Sequence, residues 1–142
     1  MITADDLIDE ARRLTGTPYL HQGRSGQGVD CIGLVLCVCE ALGTLPREFE
    51  RRNYARLPQA ELVLRTAHHC TPAPCPPREP GLMLLIRWPG AEYASHTAIF
   101  TGLTLIHCYA QAGRVVEHGY RGHWPARTES AWRLPGIAYG AA

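Results

Sequence analysis

The spacing of hydrophobic positions changes character midway along the chain. Near the start, Leu7, Ile8, Ala11 and Leu14 recur at helical intervals, which predicts an amphipathic helix. Thr3 and Asp6 form a capping signal ahead of it, acidic residues fall early, Arg12 and Arg13 fall late, and Gly16 ends it. Pro18, Gly23, Gly26 and Gly28 then mark a loop with no hydrophobic pattern, which runs up to Cys31. Beyond it, Ile32, Leu34, Val35, Leu36, Val38, Ala41 and Leu42 are apolar on nearly every face. That pattern predicts a buried helix from Cys31 to about Leu42, stopped by Gly43.

From Thr44 to Pro58 the chain is polar and rich in arginine, with Phe49 and Tyr54 as anchors, and reads as a surface connection. Leu62, Val63 and Ala67 predict a further amphipathic helix over Gln59 to Ala67. The run Thr71-Pro72-Ala73-Pro74-Cys75-Pro76-Pro77 reads as a stiff connector without regular structure, because proline lacks a donor and fixes φ. After it the apolar runs become short: 82–88, 97–101, 103–109, 115–118 and 132–134, each bounded by glycine or proline. Such runs predict strands. Helices first and strands afterwards predict an α+β fold with an antiparallel sheet. Neither flank of the proline segment is large enough to stand alone, so residues 1–142 read as one domain.

Composition narrows the function classes. The formal net charge is +1 and 46% of residues are hydrophobic, so there is no electrostatic case for nucleic acid or an anionic membrane. No apolar run reaches the roughly 18 residues that a membrane span needs. The opening Met1-Ile2-Thr3-Ala4-Asp5-Asp6 is acidic and has none of the features of a secretory signal. The six cysteines are Cys31, Cys37, Cys39, Cys70, Cys75 and Cys108; in a chain of this size without a signal they are expected to be reduced thiols. His68, His69, Cys70 and Cys75 look like half of a metal site, with no second half.

Candidate chemistry begins at Cys31. A thiol at the first turn of a helix meets a partial positive charge, which favours the thiolate that acyl transfer requires. A lone cysteine before an apolar helix is more often a core residue than a nucleophile, and only its combination with other residues shifts that balance. His96 enters the 97–101 strand and His107 lies in the next, where antiparallel pairing brings the two close. A cysteine on a helix start, a histidine base on a strand and an orienting residue on its neighbour form the papain-like arrangement, with His107 as orienter. Backbone N–H groups at the helix start would help hold the oxyanion. His21, His118 and His123 read as structural or surface residues.

The segments Gly16-Thr17-Pro18-Tyr19, Asp30-Cys31-Ile32-Gly33-Leu34-Val35, Ser95-His96-Thr97-Ala98-Ile99-Phe100-Thr101-Gly102 and Ile106-His107-Cys108 resemble, in order and type, the NlpC-type cell-wall cysteine peptidases. His21-Gln22 and Trp132-Arg133-Leu134-Pro135 are similar to the short peptidases of phage tails, prophages and gene transfer agents. The resemblance implies N-terminal helices packed on a central antiparallel sheet. It implies hydrolysis of peptidoglycan stem peptides, commonly between D-γ-glutamyl and a diamino acid. Carried over residue by residue, Cys31 is the nucleophile, His96 the base and His107 the orienting residue. Tyr19, Asp30 and Ser95 match substrate-binding positions. Two departures stand out: Ile32 replaces the usual small residue after the cysteine, and Leu82 replaces the usual Asp after Gly81.

The expected function is therefore a cysteine endopeptidase of peptidoglycan that needs no cofactor or metal. Made without a signal, it would reach the wall by a phage particle or by lysis, with tail proteins as potential partners. The rival readings are an amidase or acyltransferase on the same scaffold, a tail structural subunit that has lost activity, and a metal-binding module through His68, His69, Cys70 and Cys75.

Overall fold

The computed structural model describes residues 1–44, 65 and 68–140. The connection from Thr44 to Pro58, with Phe49 and Tyr54, lies outside the described residues apart from Thr44. So does the helix expected over Gln59 to Ala67, apart from Arg65.

Helix α1 spans Ala4–Arg13. The Thr3 hydroxyl accepts from the Asp6 N–H at 3.2 Å and the Asp6 carboxylate accepts from the Thr3 N–H at 2.9 Å, a reciprocal cap. Leu7, Ile8 and Ala11 form its buried face. Helix α2 spans Cys31–Leu42 and ends on Gly43 in the left-handed conformation, where glycine carries no Cβ penalty. Its residues Leu34, Val35, Val38 and Cys39 are fully buried. Each fully buried aliphatic side chain of this kind stabilises the fold by about 2 kcal/mol, so the even apolar character of the segment is its fitness for the interior.

The strands are β1 (Ile2–Thr3), β2 (Arg24–Ser25), β3 (Gly28–Val29), β4 (Thr71–Ala73), β5 (Leu82–Ile86), β6 (His96–Phe100), β7 (Thr104–Cys108), β8 (Val115–Gly119), β9 (Thr128–Arg133) and β10 (Ile137–Ala138). A short helix α3, Trp124–Arg127, precedes β9. Six strands form one sheet in the order β4-β9-β5-β6-β7-β8, and every pairing within it is antiparallel. This is the α+β architecture expected.

The sheet has two covered faces. Met83, Leu85, Ile99 and Ile106 pack with α1 and α2. Leu82, Leu84, Ile86, Ala98, Phe100 and Leu105 pack with Trp124 on the other side. Alternation along a strand assigns successive residues to opposite faces, which is why β5 is buried at every position. Leu82, where the resembled family has an acid, is thus core of the second face.

Two expectations need correcting. Thr71–Ala73 is a strand, paired to β9 with Pro72 opposite Trp132. Proline is tolerated there because β4 is the outermost strand of the sheet and can leave one position without a donor. The loop before Cys31 also carries structure: β2 and β3 pair antiparallel. Glycine permits this, since a Cβ at Gly23 would collide with the Gly28 carbonyl and one at Gly33 with the Gly23 carbonyl. Loop and helix therefore approach backbone to backbone just ahead of Cys31.

Candidate active site

Asp30 fixes the start of α2. Its Oδ1 accepts from the Gly33 N–H at 2.7 Å and its Oδ2 from the Gln22 N–H at 2.9 Å. Arg24 adds an ion pair at 3.3 Å with both side chains almost wholly buried. Cys31, the first residue of the helix, is thereby held at a junction where loop, helix and sheet meet. Both carboxylate oxygens of Asp30 are engaged by donors of this chain.

Cys31 is half-buried as a residue. Burial, the largest influence, pushes its pKa up, and the Asp30 carboxylate adds to this; the backbone and hydroxyl of Thr97 and the Ile32 N–H pull it down. The expectation of a thiolate favoured by the helix start is therefore corrected. Desolvation outweighs the terminal partial charge, and the resting group is a thiol. Tyr19 and Cys108 share this neighbourhood. Burial raises the tyrosine pKa, with Asp30, Cys31 and Cys108 contributing in that order. The Cys108 Sγ donates to the Val29 carbonyl at 3.4 Å. Ile32 points into the core, 5% exposed.

Thr97 touches Cys31 from the face of β6 that meets α2; His96, one residue earlier, opens toward the aromatic face. Its ring lies 4.9 Å from Trp88 and 5.8 Å from Tyr109. His96 Nε2 is 2.8 Å from His107 Nδ1, and both residues are buried. Neighbouring strands thus join the two histidines as the sequence predicted. Among the described residues no hydrogen bond joins Cys31 to His96. Ser95 is half-buried beside His96, its N–H bonded to the Ile86 carbonyl.

Sequence reasoning missed the next member. His107 Nε2 lies 2.7 Å from His118 Nε2, and His118 Nδ1 lies 3.0 Å from the Gly119 carbonyl oxygen. His118 is therefore part of the histidine chain and not a separate structural or surface residue. The signal was available: β7 and β8 pair His107 with Val116, so His118 falls two residues along on the same face, the diagonal neighbour of His107. His21 and His123 are exposed.

Burial keeps the inner imidazoles neutral. It drives the His96 pKa well down, with His107 adding to the effect. It lowers His107 to about 3, with His118 contributing. Beside them a cavity of about 500 Å³ is lined by Trp88, Tyr109, His118, Trp124 and Arg127 among others. The Arg127 guanidinium stands 5.9 Å from the Trp88 ring and 5.5 Å from the Trp124 ring, within cation–π range. No disulfide joins the cysteines. His68 and Cys75 are exposed while Cys70 is buried, and among the described residues no group of three or more His, Cys, Asp or Glu could hold a metal ion.

A helix that begins at Cys31, set against a six-stranded antiparallel sheet, makes an α+β fold of the NlpC/P60 type. Solved structures bear this out. The chain is similar to an NlpC/P60 family protein from Bacillus cereus ATCC 10987, with a TM-score of 0.72 and 20% identity over 94% of this chain and 40% of that one. It is similar to the NlpC/p60 domain of the peptidoglycan hydrolase SagA, with a TM-score of 0.65 and 20% identity over 94% of this chain and all of that domain. It is also similar to the peptidoglycan hydrolase RipB of Mycobacterium tuberculosis, with a TM-score of 0.64 and 20% identity over 93% of this chain and 64% of that one. The chain spans 40% and 41% of the lengths of the first two structures it matches. No protein-family model and no curated protein matches the sequence.

Proposed function

We propose that this chain is a cysteine peptidase that hydrolyses peptidoglycan stem peptides, with Cys31 as nucleophile, His96 as base and His107 as orienting residue. The observation that carries the proposal is the buried 2.8 Å contact between His96 and His107, one residue from the Thr97 that touches Cys31. Two solved structures of the same fold are peptidoglycan hydrolases, which supports the substrate class. In the reaction, His96 Nδ1 takes the thiol proton as sulfur attacks the scissile carbonyl. The tetrahedral oxyanion is held by N–H groups at the start of α2. Its collapse breaks the C–N bond, and the imidazolium returns the proton to the leaving amine. Water, activated by the same imidazole, then hydrolyses the thioester. Catalytic contacts of this kind are often open before substrate binds.

The bond assigned is that between D-γ-glutamyl and a diamino acid. The half-exposed Tyr19 and Ser95 beside the reacting pair are assigned to substrate contact, and Asp30 contributes through the loop it ties down. Arg127 in the adjoining cavity suits a carboxylate-bearing peptide. The resemblance of the opening and closing segments to phage-tail and gene-transfer-agent peptidases supports a role on a phage-like particle, with tail proteins as the partners this reading assigns. Among the described residues no helix is long and apolar enough to cross a membrane.

The test is digestion of purified sacculi by the wild type and by Cys31→Ala, with released peptides identified by mass spectrometry. New termini at D-γ-glutamyl, absent with Cys31→Ala, are expected. Release of intact stem peptides from the glycan would indicate an amidase instead. No release by a folded wild type would leave a structural subunit.

A further inference from the structure

We propose that His118 is a positioning residue that fixes, through His107, which ring nitrogen of His96 carries the proton. The inference rests on the assignment of His96 as base. It starts from the one partner in the chain of contacts whose role is unambiguous. The Gly119 carbonyl oxygen can only accept, so the His118 Nδ1 that lies 3.0 Å from it must bear hydrogen. In neutral His118 the other nitrogen, Nε2, is then an acceptor. His107 Nε2, 2.7 Å away, must donate to it. That leaves His107 Nδ1 as an acceptor, and His96 Nε2, 2.8 Å away, donates to it in turn. The result is a His96 with hydrogen on Nε2 and a lone pair on Nδ1, the nitrogen that a thiol proton needs. One backbone carbonyl sets three tautomers.

His118 is half-buried and borders the open cavity, facing His107 on β7 and Trp124 on α3. No atom of His118 needs to touch the thiol or the substrate.

Two variants separate this role from mere packing. His118→Gln keeps a carbonyl acceptor for His107; His118→Leu removes the acceptor. Nitrogen-15 long-range correlation spectra of the full chain at pH 7 read the His96 tautomer directly. The Nε2–H form is expected in wild type and in His118→Gln, and a mixture in His118→Leu. In cleavage of a γ-D-glutamyl-diaminopimelate peptide, His118→Leu should lose about 10-fold in kcat, the scale of one positioned hydrogen bond, with KM little changed. His118→Gln should stay near wild type at pH 7. A folded His118→Leu with His96 still wholly in the Nε2–H form and unchanged kcat would overturn the proposal. If His118→Leu does not fold, a wild type whose His96 is in the Nδ1–H form at pH 7 would overturn it. The spectra need no substrate. An inactive wild type with the expected tautomers would therefore refute the peptidase reading and leave the tautomer assignment standing.

Discussion

Lowering the pH should destabilise this fold through His96 and His107 well before its carboxylates titrate. Both histidines are buried and neutral in the folded state, His107 with a pKa of about 3 against an ordinary value of 6.5 and His96 shifted in the same direction. The unfolded chain binds protons at these positions near 6.5, and the folded chain does not. Each group therefore contributes nothing unfavourable above that pH, and stability falls as pH drops from about 6.5 toward the folded pKa. Between pH 7 and pH 5 His107 alone favours the unfolded state by about 2 kcal/mol, and His96 adds to the loss in the same direction. A domain whose whole stability is about 5–15 kcal/mol would feel this strongly. Urea unfolding followed by far-ultraviolet circular dichroism at pH 7, 6 and 5 measures it, and His107→Asn serves as the control. The wild type should show a steep loss, and the variant a loss smaller by about 2 kcal/mol over the same interval. A wild-type stability that is flat from pH 7 to 5, or a variant with the same slope, would show that these imidazoles are not held neutral by burial.

Cys31→Ala should abolish peptide release while leaving the unfolding midpoint within about 1 kcal/mol of wild type, checked by sacculus digestion alongside thermal melting. His96→Ala should lose nearly all cleavage, whereas His107→Asn should keep at least about 10-fold more activity than His107→Ala, because an amide oxygen can still accept from His96; initial rates on the γ-D-glutamyl peptide decide this. Brief alkylation at pH 7 with peptide mapping should modify the half-buried Cys31 ahead of Cys39 and Cys70, which are buried. Asp30→Ala should lower stability by about 3 kcal/mol in denaturant titration, because it removes a helix cap and leaves the Arg24 guanidinium buried without its carboxylate.

The elements that were legible in the sequence are those whose cause is local. The capped start of α1, the even hydrophobicity of α2 and the short glycine-bounded runs of β5 to β8 each follow from residues within a few positions of one another. The His96–His107 contact was legible because a hairpin turn at Thr101-Gly102 converts sequence spacing into strand pairing. His118 follows by the same parity argument across the next turn, and taking histidines singly hid it. The strand at Thr71–Ala73 was not legible, because its pairing partner lies about sixty residues away in β9 and local propensity argued only for proline. The state of the Cys31 thiol was not legible either. A helix start is visible in sequence, but the burial and the Asp30 carboxylate that overrule it depend on the loop folding back over α2.

In the proposed reaction that last point decides how the site works. Burial pushes the Cys31 proton on and the His96 proton off, so the resting pair is thiol and imidazole, and proton transfer between them is uphill. The charges it creates are opposite and adjacent, and their attraction in a poorly solvated site offsets part of the cost. The rest must come from interactions that exist only as sulfur bonds to carbon, when the negative charge moves from sulfur to the oxyanion beside the α2 N–H groups. The arrangement leaves the idle thiol slower toward oxidants and alkylating agents than a standing thiolate would be. It also makes the direction of the His96 lone pair critical. A thiol that is not already ionised must find an acceptor in place at the moment of attack, and in this fold the acceptor's position is set three histidines away, at the Gly119 carbonyl.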